Sequence, residues 1–162
     1  YLPAGQVTKE PTVTPPRGMR PWLVAGLTVI ADQATKYLVM TFLAPGESIP
    51  LIPPLLQLTY VQNTGAAFGL FKGYQAVFIL LSVAVIAWIV RELTRRPRVA
   101  AMPRWGSALV LGGAAGNLID RLRFGHVVDF LDLRVWPVFN LGDSAITVGV
   151  ILLIWRALRH QR

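Results

Sequence analysis

The sequence predicts a membrane protein of the all-α class with a small β element, namely four transmembrane helices and a short sheet. Three observations lead to this prediction. Apolar residue types make up 54% of the chain and charged types only 15%, well below the roughly one quarter usual in soluble domains. Four apolar segments of helical length are separated by more polar stretches. The basic residues gather at one end of these segments. Lipid is therefore the expected surrounding for much of the surface.

The distribution of basic residues predicts the orientation in the membrane. With four crossings, eleven of the sixteen Lys and Arg residues lie on one side and four on the other. This positive-inside bias predicts that both termini are cytoplasmic. The net charge of +8 then reflects contact with anionic lipid headgroups rather than with nucleic acid. The eleven are Lys9, Arg17, Arg20, Arg91, Arg95, Arg96, Arg98, Arg104, Arg156, Arg159 and Arg162, and the four are Lys72, Arg121, Arg123 and Arg134.

The first eighteen residues are expected to be a disordered extension. They contain four prolines, show no apolar periodicity, and lack the basic start and apolar centre of a signal peptide. Met19 is a plausible native start, so residues 1–18 are interpreted as a tail that is not necessarily native. Residues 19–162 are then expected to form a single domain, which suits this length.

The four helices are predicted at 22–42, 73–90, 105–122 and 141–158. Asp32 and Lys36 interrupt the first, and only the second meets a simple rule of about 18 uncharged residues. The third and fourth are weak by hydropathy because they carry Asn117, Asp120 and Asp143. Polar residues in such spans usually mark function or buried contacts. The glycines of the third helix, at 112, 113 and 116, are expected to serve close helix packing.

Strands are predicted between the first and second helices and again after the third. Residues 56–71 alternate and are rich in β-branched and aromatic types, and the four prolines between 45 and 54 rule out a long helix before them. Residues 127–131 form a second strand-like run. Both segments emerge on the same face, so a small sheet at the membrane surface is expected.

Three aspartates are expected near the outer face: Asp120, Asp129 and Asp143. For Asp143 the simpler interpretation is an ordinary charge at a helix N-terminus. For Asp120 it is a polar clamp that holds the loop, with Arg121 as counter-ion. Asp129 differs because its neighbours are apolar, which predicts a raised pKa.

Two carboxylates in one pocket of low dielectric share a proton, so that one acts as acid and the other as base. Such a pair can activate water against an amide carbonyl without a metal or a nucleophilic side chain, so no cofactor is expected. Ser144 lacks a suitable histidine partner, because His126 is alone in its loop. His126 and His160 are too far apart to indicate a metal site, and the absence of cysteine excludes thiol catalysis.

Five segments, in order, resemble the lipoprotein signal peptidases, also called signal peptidase II, which are aspartyl peptidases of the bacterial cytoplasmic membrane. They are residues 31–36 (ADQATK), 63–69 (NTGAAFG), 116–121 (GNLIDR), 127–130 (VVDF) and 139–144 (FNLGDS). Any one of these is a weak signal, but five spanning nearly the whole chain after Met19 are specific. The chain departs from the family at Gly142, where the family usually has alanine.

The resemblance implies that Asp129 and Asp143 form the catalytic dyad. It also implies supporting positions that line or brace the site: Asn63, Gly65, Asn117, Asp120, Arg121, Asn140, Asp32 and Lys36. Asp32 and Lys36 match a polar pair on the first helix, and their i,i+4 spacing allows mutual neutralisation within lipid. In this family the segment between the first two helices forms a β-cradle on the periplasmic side of the membrane.

The implied reaction is removal of the signal peptide from diacylglyceryl-modified prolipoproteins, by hydrolysis just before the lipidated cysteine. The expected partners are lipid-modified prolipoprotein signal peptides and membrane lipids, with no nucleic acid, and the chain is expected to be monomeric. The implied location is the bacterial inner membrane, as a multi-pass protein whose active site lies near the outer face.

The sequence leaves three alternatives open. Intramembrane carboxylates also build proton relays, so a proton-coupled transporter is one. Four short helices without repeats, with the aspartates at one face, fit it poorly. A non-catalytic membrane adaptor held together by its polar motifs is the second. Within the peptidase hypothesis, a dyad of Asp120 and Asp143 is the rival to Asp129 and Asp143.

Overall fold

Helices make up most of the structure, a computed structural model that describes residues 20–65, 74–95 and 101–159. A small antiparallel sheet has the strand order β1-β2-β3. The mostly helical fold with a small sheet is confirmed, while the predicted extension over 1–18 lies outside the described residues. The elements are α1 (Arg20–Phe42), β1 (Ser48–Ile52), β2 (Leu56–Asn63), α2 (Gln75–Arg95), α3 (Ala101–Phe124), β3 (Val127–Asp132) and α4 (Leu141–Arg159).

Three of the described helices, α1, α2 and α4, are long and apolar enough to cross a membrane. Only 11% of the most apolar stretch of α2, and the same share of α4, is buried inside the protein. Their large apolar side chains therefore face outward. A soluble helix would turn such a surface toward a core, so this arrangement is that of helices surrounded by lipid.

The remaining helix, α3, is not among those that meet the criterion for a membrane span. Its glycines and its polar residues, among them Asn117 and Asp120, lower its hydropathy. It lies at the centre of the protein, in contact with α1, α2 and α4. Because other helices cover α3, its polar side chains meet protein partners instead of lipid.

Close packing around α3 depends on its glycines. A methyl group at Gly112 would lie 2.6 Å from the Thr28 Cβ of α1, and one at Gly116 would collide with the Asp32 carboxylate. The expectation that these glycines permit close helix packing is confirmed. Gly116 also has a local role, because it leaves room for a buried charged side chain.

The sheet rests on the C-terminal end of α1. Val39 of α1 and Leu43, the first residue after α1, pack with Tyr60 of β2 and with Val128 and Phe130 of β3 in one apolar cluster. The strand predicted within 56–71 is present as β2 and ends at residue 63, and residues 66–71 lie outside the described part of the chain. β1 is an edge strand, exposed along its whole length, where a proline at position 50 is tolerated.

Candidate active site

Asp129 lies in the middle of β3, a strand whose side chains are buried on both faces. Its carboxylate is almost fully enclosed, with 1% of the residue exposed. Asn63, from the neighbouring strand β2, donates from Nδ2 to Asp129 Oδ2 at 2.8 Å. Asn140 donates from Nδ2 to Asp129 Oδ1 at 2.6 Å. Both carboxylate oxygens therefore accept a hydrogen bond from an amide, which satisfies the polar group in its buried position.

The pKa of Asp129 is raised from its ordinary value of 3.8 to about 7. Burial is the main cause, because removal from water disfavours the charged form, and the Asp143 carboxylate raises it further. The hydrogen bonds from Asn63 and Asn140 and the charge of Lys36 act in the opposite direction. The raised pKa expected from the apolar neighbours is confirmed, with the contribution of Asp143 as an addition.

Asp143 lies in the first turn of α4, where it and Asn140 form a reciprocal cap. Asn140 Oδ1 accepts a hydrogen bond from the Asp143 amide at 2.8 Å, and the Asn140 amide donates to Asp143 Oδ2 at 3.3 Å. This is the arrangement of a capping box. The simpler interpretation of Asp143 as a charge at a helix N-terminus is thus correct for one of its oxygens. The other oxygen, Oδ1, accepts from Asn117 Nδ2 at 2.8 Å.

The chain after β3 turns back and brings Asn140 beside Asp129. Phe139 pairs with Leu131, with N–O distances of 2.7 and 3.1 Å in the two directions. The residue after this bridge is Asn140, which is fully buried. Asn140 therefore contacts both Asp129 on β3 and Asp143 on α4.

The orientation of the asparagine amides is set by their oxygens. Asn117 Oδ1 accepts from Lys36 Nζ at 2.9 Å and from Asn140 Nδ2 at 3.1 Å. Its nitrogen must then point the other way, toward Asp143. Asn63 Oδ1 accepts from the Gly65 amide at 3.0 Å, which turns the Asn63 nitrogen toward Asp129. The network thus presents hydrogen-bond donors to both aspartates.

Both aspartates line one cavity of about 250 Å³. This volume is enough for several water molecules or a short peptide segment. Its lining combines polar and charged side chains with aromatic and aliphatic ones. The lining residues are Asn63, Gly65, Phe78, Asn117, Arg121, Val127, Asp129, Trp136, Pro137, Val138, Phe139 and Asp143.

A cluster of buried charges lies behind the cavity. Lys36 Nζ is 2.8 Å from Asp32 Oδ2 and 2.8 Å from Asp120 Oδ2, and each of the three residues is at most 1% exposed. The neutralisation of Lys36 by Asp32 that the i,i+4 spacing indicated is present. The same ammonium group also binds Asp120 from α3.

The structure corrects the expected partner of Asp120. Arg121, its neighbour in sequence, was expected to balance it, but Lys36 forms the ion pair. The Arg121 guanidinium instead lies 5.3 Å from the centre of the Phe78 ring on α2 and lines the cavity. Consecutive helical residues point about 100° apart, so adjacent side chains rarely meet.

All ten residues predicted for the site lie in the network or its cavity. Sequence reasoning missed Gln33, which donates to Asp120 Oδ1 at 2.9 Å and to the Gly116 carbonyl at 3.2 Å. In the sequence, Gln33 stands out only as a side-chain amide directly after Asp32 in a largely apolar helix. Sequence reasoning also missed Phe78 and Trp136 in the cavity wall. The ten are Asp32, Lys36, Asn63, Gly65, Asn117, Asp120, Arg121, Asp129, Asn140 and Asp143.

Comparison with known proteins identifies the family. The family model described as signal peptidase (SPase) II matches residues 24–159. The chain belongs to the signal peptidase II family. It is 52% identical over 139 residues to the lipoprotein signal peptidase of Moorella thermoacetica, which covers 85% of this chain and 93% of the relative. It is 48% identical over 141 residues to that of Pelotomaculum thermopropionicum, covering 86% and 92%.

Solved structures agree with this membership in the signal peptidase II family. A bacterial membrane enzyme determined by the in meso method at 2.3 Å resolution matches with a TM-score of 0.83 and 34% identity, over 88% of this chain and 89% of that one. A second, at 1.9 Å resolution, matches with a TM-score of 0.79 and 35% identity, over 86% and 92%. Family membership makes the chain a peptidase. Together with three apolar helices, it is consistent with a multi-pass membrane protein.

Proposed function

We propose that this chain is a membrane aspartyl endopeptidase that removes the signal peptide from diacylglyceryl-modified prolipoproteins. It hydrolyses the peptide bond just before the lipidated cysteine. The observation that carries the proposal is the convergence of Asp129 and Asp143 on one cavity, with Asn140 hydrogen-bonded to both. Family membership supplies the substrate class, since the relatives are named lipoprotein signal peptidases.

The dyad holds one proton between its two carboxyl groups. The pKa of Asp129 near 7 favours Asp129 as the proton holder at neutral pH. The negative charge of Asp143 is one of the causes that raise the pKa of Asp129, which makes Asp143 the ionised partner. Asp143 is thus assigned as the general base and Asp129 as the general acid of the first step.

Hydrolysis then proceeds in two steps without a covalent enzyme intermediate. Asp143 takes a proton from water while the water oxygen attacks the scissile carbonyl carbon, and Asp129 protonates the carbonyl oxygen. In the second step the C–N bond breaks as Asp143 returns its proton to the leaving nitrogen. Asp129 regains a proton from a hydroxyl of the tetrahedral intermediate, which leaves the dyad in its starting state. Arg121 and Asn63, in the same cavity, are placed to stabilise charge on the carbonyl oxygen.

The surroundings of the site suit a substrate anchored in lipid. The cavity opens beside the sheet at one end of the helices, and the outward faces of α2 and α4 are apolar. An acylated precursor can reach such a site by lateral diffusion in the bilayer. Anchoring of its signal helix and its acyl chains on either side of the bond would hold the peptide in place.

We also propose that α3 crosses the membrane surrounded by the other helices. Both termini are then cytoplasmic, and the cavity lies near the outer face. The basic bias of the helix ends supports this orientation. The chain has no cysteine, so single cysteines can report it. Val135, which is 90% exposed beside the site, should be labelled as Val135→Cys by an impermeant thiol reagent added to intact cells. Leu158→Cys, at the other end of α4, should react only after permeabilisation, and the reverse pattern would invert the topology.

Purified protein incubated with two forms of one precursor tests the reaction itself. One form carries diacylglycerol on its cysteine and the other does not. Mass analysis should locate a single cut immediately before the cysteine in the lipidated form, with the unmodified form cut far more slowly. A cut at another bond, or equal rates for both forms, would contradict the proposed specificity.

A further inference from the structure

The buried ions behind the cavity are connected to the backbone beside each aspartate of the dyad. Asp32 Oδ1 accepts a hydrogen bond from the Gly142 amide at 2.8 Å, and Gly142 immediately precedes Asp143. Asp120 Oδ2 accepts from the Val128 amide at 3.1 Å, and Val128 immediately precedes Asp129. Asp32 and Asp120 thus each accept a hydrogen bond from the backbone amide one residue before a member of the dyad.

Lys36 forms an ion pair with both of these aspartates. An ammonium group has three N–H donors, and the three acceptors around Lys36 Nζ are Asp32 at 2.8 Å, Asp120 at 2.8 Å and Asn117 at 2.9 Å. The third acceptor orients Asn117 toward Asp143. All three donors are therefore directed at groups that in turn contact Asp143 or the backbone next to the dyad.

We propose that Lys36, Asp32 and Asp120 form a positioning triad that sets the separation between the carboxyl groups of Asp129 and Asp143. This inference rests on the proposed function, because it takes those two aspartates as the catalytic pair. The triad touches neither the substrate nor the reacting atoms. It acts by holding the N-terminus of α4 and strand β3 at a fixed distance through one shared cation.

Neutralisation of Lys36 alone does not explain why three charged groups are buried together here. Burying three charges is costly, and an apolar trio of similar volume would often stabilise a helix bundle as well or better. A direct pair of Lys36 with one acid would also suffice for neutralisation. The second acid adds a second hydrogen bond to the backbone. Asp120 binds an amide of β3 and Asp32 an amide of α4, the two elements that carry the dyad.

The separation of Asp129 from Asp143 can be followed through the pH dependence of kcat, because the Asp143 charge raises the pKa of Asp129. The charged groups that act on Asp129 are Asp143 from α4, Lys36 from α1 and Arg121 from α3, while β2 contributes the uncharged Asn63. Asp120 from α3 accepts from the amide of the preceding residue, Val128. If the hydrogen bond from the Val128 amide to Asp120 is lost, β3 is free to shift and Asp129 moves away from Asp143, so the Asp143 charge raises the pKa of Asp129 less. Its proton is then lost more readily, and the alkaline limb of the kcat profile moves to lower pH.

Two variants of Asp120 separate the hydrogen bond to β3 from the charge. Asp120→Asn loses the negative charge but keeps an oxygen that can accept from both the Val128 amide and Lys36 Nζ, as Asp120 Oδ2 does, whereas Asp120→Leu loses both contacts. We expect Asp120→Asn to keep kcat within about threefold of the unmodified protein, with an unchanged pH profile. Asp120→Leu should lose kcat by on the order of 10²-fold, as displaced catalytic groups do, and its alkaline limb should move by about half a pH unit or more. KM should change little in either.

Ile89→Ala is the matched control, because Ile89 is buried in α2 away from the site. It should lower thermal stability and leave kcat and the pH profile of the folded fraction unchanged. If folded Asp120→Leu behaves like this control, the triad is only structural and the inference is overturned. If Asp120→Leu does not fold, Asp120→Glu replaces it, since Glu keeps the charge but displaces the acceptor. An Asp120→Glu variant with normal kcat and pH profile would equally overturn it.

Failure of the proposed function would look different. Turnover that persists in Asp129→Asn or Asp143→Asn would remove the dyad and the inference together. Turnover that is lost in both, with Asp120→Leu indistinguishable from Ile89→Ala, would remove the positioning triad alone.

Discussion

The side-chain amide of Asn140 donates a 2.6 Å hydrogen bond to Asp129 Oδ1. The other atoms of Asn140 bind Asp143, so one buried amide spans the strand and the helix that carry the dyad. Asn140 is both the cap of α4 and the residue that orients Asp129. These two roles can be separated by substitution.

Asn140→Ser should keep the helix cap and lose the donor to Asp129, whereas Asn140→Ala should lose both. We expect turnover to fall by on the order of 10²-fold in each variant. The free energy of unfolding of the alanine variant should lie below that of the serine variant by about 0.5–2 kcal/mol, the usual value of an N-cap. Initial rates of precursor cleavage and thermal unfolding in detergent measure the two effects. Normal turnover in the serine variant would show that the Asn140–Asp129 bond is dispensable.

The pH dependence of turnover should have an alkaline limb near pH 7, because the general acid Asp129 loses its proton there. Asn63 donates to Asp129 and so stabilises its ionised form. Asn63→Leu should therefore raise the pKa of Asp129 and move this limb to higher pH. Gln62→Leu is the control, because adjacent strand residues point to opposite faces, and it should leave the limb in place. A limb that moves to lower pH in Asn63→Leu would contradict the assignment of the proton to Asp129.

The stability of the protein should decline as pH rises from about 4 to 7. In this range folded Asp129, with its pKa near 7, retains a proton that the unfolded chain has released. Its contribution to the free energy of unfolding is complete below pH 4 and is lost by roughly 4 kcal/mol at most as pH passes 7. Asp129→Asn removes this term. The variant should gain stability over the unmodified protein at pH 8 and not at pH 4, whereas parallel stability curves would show that Asp129 is not buried as a proton holder.

Gly113→Ala should harm both stability and turnover. A methyl group there would collide with the Gly142 carbonyl and lie 2.8 Å from Ile146 Cγ1, so α3 and α4 must separate beside Asp143. Overpacking of this kind costs about 1–3 kcal/mol. Gly26→Ala is the matched control, since nothing lies within 4 Å of its added methyl, and it should be neutral or slightly stabilising. Equal behaviour of the two variants would show that the α3–α4 seam is not tight.

The sequence was sufficient for the four helices, for β2 and β3, and for the family, because apolar runs and five short motifs are local signals. It did not indicate β1, since this strand contains a proline and is exposed along its whole length, without the alternation of a half-buried strand. It was not sufficient for the contacts behind the cavity. The i,i+4 rule identified Asp32 as a partner of Lys36. The pairing of Lys36 with Asp120 could not be read in this way, because these residues are 84 positions apart in the chain and lie on different helices. The expected Asp120–Arg121 pairing was wrong because adjacency in a helix is not adjacency in space.

Hydropathy alone also does not indicate that α3 is a buried helix. Its polar residues satisfy one another inside the bundle, so composition alone underestimates how well it is shielded. Likewise, the raised pKa of Asp129 followed from its apolar neighbours, while the contribution of Asp143 required the fold. The assignment of Asp129 and Asp143 as a pair came from the resemblance, and their shared cavity is the structural support for it.

The most direct measurement is the turnover of lipidated precursor by Asp129→Asn and Asp143→Asn, with Asp120→Asn as the matched carboxylate control. Each variant must be shown to insert in the membrane and to unfold cooperatively. We predict that the first two lose cleavage by about 10²–10⁴-fold, as expected when a general acid or base is removed, while Asp120→Asn loses more stability than turnover. Substantial cleavage by either dyad variant, or loss confined to Asp120→Asn and Asp143→Asn, would contradict the assignment of the catalytic pair.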